Sequence, residues 1–130
     1  MLDNEIKKQK VCIVEDDPMI QEMYKLKLEE NGFEVFLASD GEEGLNLIGK
    51  EVPDIALVDI SLPQMNGIDL MRNLKGDKDL SRIPLVVITN LNDEKTLKDA
   101  GDLDVKFYLV KSLFTPKDVV RIVKEVLEKG

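Results

Sequence analysis

The sequence predicts an α/β protein in which short parallel strands alternate with helices around one core. Four apolar runs each end on a polar residue, a pattern typical of strands that are buried on both faces of a sheet. The runs are Val11–Val14, Ile55–Val58, Leu85–Ile88 and Phe107–Val110. Between them, apolar residues recur every three or four positions, as on the inner face of a helix. This alternation indicates a doubly wound parallel sheet with helices on both sides.

A fifth strand and five helices complete the prediction, which is a (βα)5 domain. Val35–Ala38 is the additional strand, and a weaker helix is predicted over Glu94–Ala100. The apolar positions that define the other helices are Ile20, Met23, Tyr24 and Leu28; Leu45 and Ile48; Ile68, Met71 and Leu74; and Val119, Val120, Val123, Val126 and Leu127.

Local signals mark several helix boundaries. Asp17–Pro18 is the arrangement of an N-cap carboxylate followed by proline at the first helical position, and Thr115–Pro116 repeats it before the last helix. Asn31–Gly32 predicts a left-handed end for the first helix. Asp40 is placed to cap the helix that begins at Gly41. We assign these residues structural roles.

Size and composition exclude several classes of protein. The 130 residues fit one domain, which we place at residues 10–128 after a polar tail at 1–9, with no effector domain. A formal charge of -8 argues against direct DNA binding. The single cysteine, Cys12, predicts a buried thiol. Without a membrane-length apolar stretch or a signal-like start, we expect a cytoplasmic protein. The absence of histidine excludes Ser-His-Asp triads and HExxH zinc sites.

The polar residues that follow the runs form the predicted functional site. Glu15, Asp16, Asp59, Thr89 and Lys111 would lie at the carboxyl edge of the sheet, where ligands of open α/β folds bind. Three neighbouring carboxylates need a cation, and an all-oxygen site favours Mg²⁺. Asp59 stands alone after the third run and is the candidate nucleophile for an acyl phosphate. Lys111 and Thr89 would then contact phosphoryl oxygens.

These motifs resemble the receiver domain of two-component response regulators over Lys10 to Leu127. The segments that carry the resemblance are Val14–Asp17, Asp59–Gly67, Thr89 and Tyr108–Lys111. The resemblance implies a flavodoxin-like five-stranded sheet in the order 2-1-3-4-5. The residues matched to functional positions of the family are the phosphoacceptor Asp59, the metal ligands Glu15, Asp16, Asp59 and Ser61 (by its backbone carbonyl), the phosphate-binding Lys111, the switch hydroxyl Thr89 and the switch aromatic Tyr108.

The resemblance also implies a signalling role. A sensor histidine kinase or phosphotransfer protein would donate a phosphoryl group from phosphohistidine to Asp59 with Mg²⁺. The surface of the fourth helix, fifth strand and fifth helix would then change for a downstream protein or a homodimer. The domain would not be a turnover enzyme, because only self-phosphorylation and slow autodephosphorylation are implied.

Three residues depart from the family pattern. Ser112 stands where family members usually carry a proline, often with a cis bond, which predicts a strained or reshaped loop. Asn90 replaces a small residue after the threonine and would narrow the site. Leu91, like Ser61, lies at a position that influences the attacking water, so an apolar Leu91 predicts a longer-lived acyl phosphate.

Other functions compete with this interpretation. A degenerate receiver that only binds protein partners is the main alternative, because Ser112 and Asn90 break the pattern. A phosphatase of the haloacid dehalogenase type needs an aspartate where Ser61 stands. A flavodoxin-like flavin carrier needs a hydroxyl- and glycine-rich loop after the first strand, where this chain has the acids Glu15–Asp17.

Overall fold

A computed structural model describes residues 7–90 and 94–129. Within these ranges a parallel sheet has the strand order β2-β1-β3-β4-β5, which confirms the predicted order. The strands are β1 Lys10–Val14, β2 Glu34–Ala38, β3 Ile55–Asp59, β4 Leu85–Thr89 and β5 Phe107–Val110. All five predicted runs therefore form strands. The central strands β3 and β4 are buried on both faces, whereas the edge strands β2 and β5 are partly exposed.

Helices follow the strands in alternation. They are α1 Pro18–Glu30, α2 Gly41–Glu51, α3 Gly67–Lys75, α4 Glu94–Asp102 and α5 Pro116–Lys129, with a 3-10 turn, η1, at Lys111–Leu113. The weak helix predicted from Glu94 is real and extends two residues beyond the predicted end. No helix in the described ranges is both long enough and apolar enough to cross a membrane.

Two apolar clusters fill the space on either side of the sheet. In β1, Val11 and Ile13 join the cluster beneath α1 and α5, whereas Cys12 and Val14 join the cluster beneath α2, α3 and α4. This alternation follows from the two-residue period of side chains along a strand. The Cys12 thiol is free and fully buried, as predicted.

The predicted helix caps are present. Asp17 Oδ1 accepts a hydrogen bond from the Met19 N–H at 2.9 Å, and Asp40 Oδ1 accepts one from the Glu43 N–H at 2.7 Å. Thr115 Oγ1 accepts from the Asp118 N–H at 3.2 Å. Gly32, after α1, has a left-handed φ of 90°, which explains why a glycine stands there.

One predicted core position is wrong. Met23 was expected on the inner face of α1, but its side chain is 43% exposed, while the next residue, Tyr24, is 4% exposed. The reason is the 3.6-residue helical repeat, which places Met23 on the same face as Met19 and Leu26, at 73% and 55% exposure.

The departures from the family pattern have different outcomes. The chain after β5 forms η1, and the described residues contain no cis peptide bond; the strained or reshaped loop at Ser112 stays a prediction. Asn90 is exposed directly after β4. Leu91 lies outside the described residues, as does most of the predicted N-terminal tail.

Candidate functional site

The carboxyl edge of the sheet brings the predicted charged residues together. Glu15 directly follows β1, Asp59 ends β3, Thr89 ends β4, and Lys111 directly follows β5. Parallel pairing aligns these ends, since Asp59 lies opposite Ile88 and Thr89 lies opposite Val110. The strand order therefore assembles one site from residues up to 96 positions apart in the sequence.

Lys111 joins two buried carboxylates. Its Nζ lies 2.7 Å from Asp59 Oδ2 and 2.5 Å from Glu15 Oε1. Glu15 is 0% exposed and Asp59 is 2% exposed, so both contacts are shielded from water. Burial by itself lowers the pKa of Lys111, but the hydrogen bonds and charges of Asp59 and Glu15 outweigh it and raise the pKa above its ordinary value. Lys111 is therefore a cation at neutral pH.

Glu15 is the most strongly perturbed acid of the site. Burial raises its pKa to about 7, against the opposing effects of Lys111 and of the Asp17 N–H, while the charge of Asp59 raises it further. Glu15 Oε2 accepts a hydrogen bond from the Asp17 N–H at 2.9 Å. Glu15 Oε1 contacts the Lys111 ammonium as an ion pair, although no described donor makes a well-directed hydrogen bond to it.

The three predicted acids form a compact cluster. One carboxylate oxygen from each of Glu15, Asp16 and Asp59 lies within 4.8 Å of the others, and only Asp16 is exposed to solvent. When all three are ionised they exceed the one charge of Lys111 by two. A hard divalent cation matches both this charge and the oxygen donors, so the residues fit Mg²⁺.

Both oxygens of Asp59 have partners in the protein. Oδ1 accepts a hydrogen bond from the Ser61 N–H at 3.0 Å, and Oδ2 contacts Lys111. Gly67, at the start of α3, packs directly against this strand end, since a Cβ there would lie 2.3 Å from the Asp59 carbonyl oxygen. The Asp59 side chain is thus held in one orientation at the edge of the sheet. The role of the Ser61 carbonyl as a metal ligand stays a prediction.

The two predicted switch residues lie on neighbouring strands. Thr89 is fully buried at the end of β4. Tyr108 is half-buried on β5, opposite Val87, and packs on the cluster beneath α2, α3 and α4. Both residues make further interactions within the structure. Their predicted roles in switching stay predictions.

One residue near the site was missed from the sequence. The Gln21 side chain of α1 donates from Nε2 to the backbone oxygen of Glu15. The sequence contains a pattern that could have identified Gln21. It lies three residues before Tyr24 and seven before Leu28, on the helix face that these two residues bury. A polar residue in line with an apolar stripe indicates a specific hydrogen-bond partner.

The fold and this acidic edge define the chain as a receiver domain. It belongs to the response regulator receiver domain family, whose family model matches residues 11–124. Among solved structures, a CheY-like response regulator receiver domain protein from Methanospirillum hungatei superposes with a TM-score of 0.88 and 28% identity, covering 95% of this chain and 96% of that one.

Curated relatives are longer proteins. The chain is 34% identical over 122 residues to a probable transcriptional regulator, ycf27, of Guillardia theta, covering 94% of this chain and 46% of the relative. It is 33% identical to the DNA-binding response regulator MtrA of Mycolicibacterium smegmatis, covering 95% of this chain and 52% of that protein. The chain thus spans about half the length of these relatives.

Proposed function

We propose that the domain accepts a phosphoryl group on Asp59 from the phosphohistidine of a sensor histidine kinase or phosphotransfer protein. The observation that carries the proposal is the Asp59 carboxylate, fixed by the Ser61 N–H and Lys111 beside two further acids. Glu15, Asp16 and Asp59, with the Ser61 carbonyl, are the proposed ligands of Mg²⁺, which when bound neutralises phosphoryl oxygens.

The protein's own groups supply the remaining chemistry. An oxygen of Asp59 attacks phosphorus, the phosphorus–nitrogen bond of phosphohistidine breaks, and its electron pair stays on the imidazole. Lys111 is close enough to Asp59 to contact an oxygen of the transferred group, and Thr89 offers a hydroxyl from the adjacent strand. Positioning and fixed charges carry most of the catalysis in such transfers. We propose no turnover reaction beyond self-phosphorylation and slow autodephosphorylation.

The signalling output follows from the new charge. An aspartyl phosphate adds roughly -1.5 to -2 charges at neutral pH, which would draw Lys111 and Thr89 toward it. Tyr108 lies on the strand next to that of Thr89. When Thr89 moves, the packing of the Tyr108 ring would change as well. The proposed consequence is an altered α4-β5-α5 surface that binds a downstream protein or a second copy of the domain. With a formal charge of -8, we propose protein contact rather than direct DNA binding by this domain.

Exposed apolar side chains support a protein as the phosphoryl donor. Met19, in the first turn of α1, lies four residues after Glu15, and Leu113 lies two residues after Lys111. Each is 73% exposed. Such side chains beside a charged site favour the approach of a macromolecular partner, since a small phosphate donor needs no apolar contact.

Intact-mass spectrometry with acetyl phosphate and Mg²⁺ tests the proposal. Wild type should gain one phosphoryl group, and Asp59→Asn should gain none. Asp79→Asn, which removes an exposed carboxylate after α3, is the matched control and should be modified like wild type. Equal, unchanged masses for wild type and Asp59→Asn would instead support the degenerate, phosphorylation-independent receiver. Loss of the mass gain in EDTA would support the requirement for Mg²⁺.

A further inference from the structure

The Gln21 carboxamide connects the ends of two neighbouring strands. Its Nε2 lies 2.5 Å from the Glu15 carbonyl oxygen, after β1, and 3.2 Å from both the Ala38 carbonyl oxygen and Ser39 Oγ, at the end of β2. Gln21 itself is half-buried in the second turn of α1. The two N–H donors of this amide are therefore shared among two backbone oxygens and the Ser39 hydroxyl.

The Glu15 carbonyl is part of the peptide unit that leads into Asp16. Fixing that oxygen fixes the plane of the peptide, and with it the direction in which Asp16 leaves β1. Within the described ranges, Asp16 has no hydrogen bond or ion pair through its carboxylate, so no side-chain contact there holds it toward Glu15 and Asp59. The backbone must supply this orientation.

In the described part of the chain, the other contacts of the turn act elsewhere than on the carbonyl oxygen of this peptide. The Glu15 side chain is held by the Asp17 N–H and Lys111, and its own N–H donates to the Ala38 carbonyl at 3.0 Å. The Asp17 N–H contact fixes the Asp16–Asp17 peptide, Lys111 acts on the side chain, and the Glu15 N–H contact lies before the Glu15–Asp16 peptide. Gln21 supplies the contact to the carbonyl of that peptide.

We propose that Gln21 is a positioning residue for the divalent-cation site and holds the Asp16 carboxylate within reach of an ion bound by Glu15 and Asp59. The inference rests on the proposed function, because the ion is the Mg²⁺ of phosphorylation. Residues that orient metal ligands typically contribute 10–100-fold to metal affinity. Loss of the Gln21 amide should therefore weaken Mg²⁺ binding about tenfold.

Isothermal titration with Mg²⁺ on the full chain tests the inference. Gln21→Met keeps an unbranched side chain of similar length and removes the N–H donors. Gln21→Asn keeps the donors but shortens the side chain by one methylene, which moves them away from the Glu15 carbonyl oxygen. Both should weaken Mg²⁺ binding and reduce the rise in melting temperature that Mg²⁺ produces. Ser39→Ala removes one acceptor and leaves the contact to Glu15, so it should bind Mg²⁺ like wild type.

A core variant separates positioning from a loss of stability. Val123→Ala, in the fully buried part of α5, should lower the melting temperature while keeping wild-type Mg²⁺ affinity. The inference is wrong if the Gln21 variants bind Mg²⁺ as wild type does, or if Val123→Ala weakens binding equally. A wild-type protein that does not bind Mg²⁺ would overturn the proposed function, and the inference with it.

Discussion

Replacing Glu15 by Gln should stabilise the metal-free protein at neutral and alkaline pH. Burial raises the Glu15 pKa from an ordinary value of 4.5 to about 7. Each pH unit between the folded and unfolded pKa values corresponds to about 1.4 kcal/mol. Glutamine resembles the protonated acid, so it removes the cost of ionising a buried carboxyl group. Glu15→Gln should then raise the free energy of unfolding by about 3 kcal/mol at pH 8.

The effect should depend on pH in one direction. The folded protein holds the Glu15 proton more tightly than the unfolded chain, so wild-type stability from this group is fully present below pH 4.5. It is lost as the pH rises toward about 7, and the loss then levels off. The advantage of Glu15→Gln should accordingly be about 1 kcal/mol at pH 5 and about 2 kcal/mol at pH 6.

Urea unfolding followed by far-UV circular dichroism measures this difference, because the chain has no tryptophan for fluorescence. The buffers should contain EDTA. Glu22→Gln, an exposed acid on α1, is the control and should change stability little at any pH. Mg²⁺ should shrink the advantage of Glu15→Gln, since the ion binds the wild-type acids more strongly. Equal stabilities in EDTA at pH 8, or a difference that persists unchanged at pH 5, would refute the reasoning.

Three further predictions concern the scaffold. Val52 is 53% exposed and has a left-handed φ of 44°, a conformation that asparagine tolerates better than valine. Val52→Asn should therefore raise the free energy of unfolding, measured in urea, by about 1 kcal/mol. An unchanged free energy would contradict this prediction. Gly41→Ala should destabilise by about 2 kcal/mol, since its Cβ would lie 1.8 Å from the Met65 carbonyl oxygen, whereas Gly49→Ala, with open space, should stabilise in the same assay. The Cys12 thiol is buried with its pKa raised to about 12, so a disulfide reagent at pH 8 should label it only as fast as the protein opens; rapid labelling would be inconsistent with the structure.

The strands and their site residues could be predicted because two simple rules act together. An apolar run of four residues forms a strand of the sheet, and parallel strands present their carboxyl ends at one edge. Helix caps such as Asp17 were equally readable, since capping depends on neighbouring residues alone. The exposure of Met23 could not be predicted in this way, because α1 exposes part of its apolar surface. The helical period alone does not show which apolar face packs on the sheet.

Long-range side-chain geometry lay beyond the sequence patterns. Lys111 follows β5 and reaches Asp59 on β3 across the end of β4, then also contacts Glu15 beyond β3. Which carboxylates share the ammonium depends on the twist of the sheet and on side-chain rotamers, and neither is encoded in local spacing. The structure brings Glu15, Asp16, Asp59 and Lys111 together as predicted, but the distribution of contacts among them required the structure.

The sharing of the Lys111 ammonium between Asp59 and Glu15 constrains how the proposed phosphorylation can proceed. The single positive charge of Lys111 is already shared by two buried carboxylates, and a phosphoryl oxygen contacted by the third N–H of the ammonium would have to share it too. If Lys111 turned to the phosphoryl group, Glu15 would lose its cation while the negative charge of the site increased. Buried like charges are strongly unfavourable unless a proton or a metal ion compensates them. Under the proposed function, a proton on Glu15 or a divalent ion held by Glu15, Asp16 and Asp59 would compensate this charge when Lys111 turns to the phosphoryl oxygens.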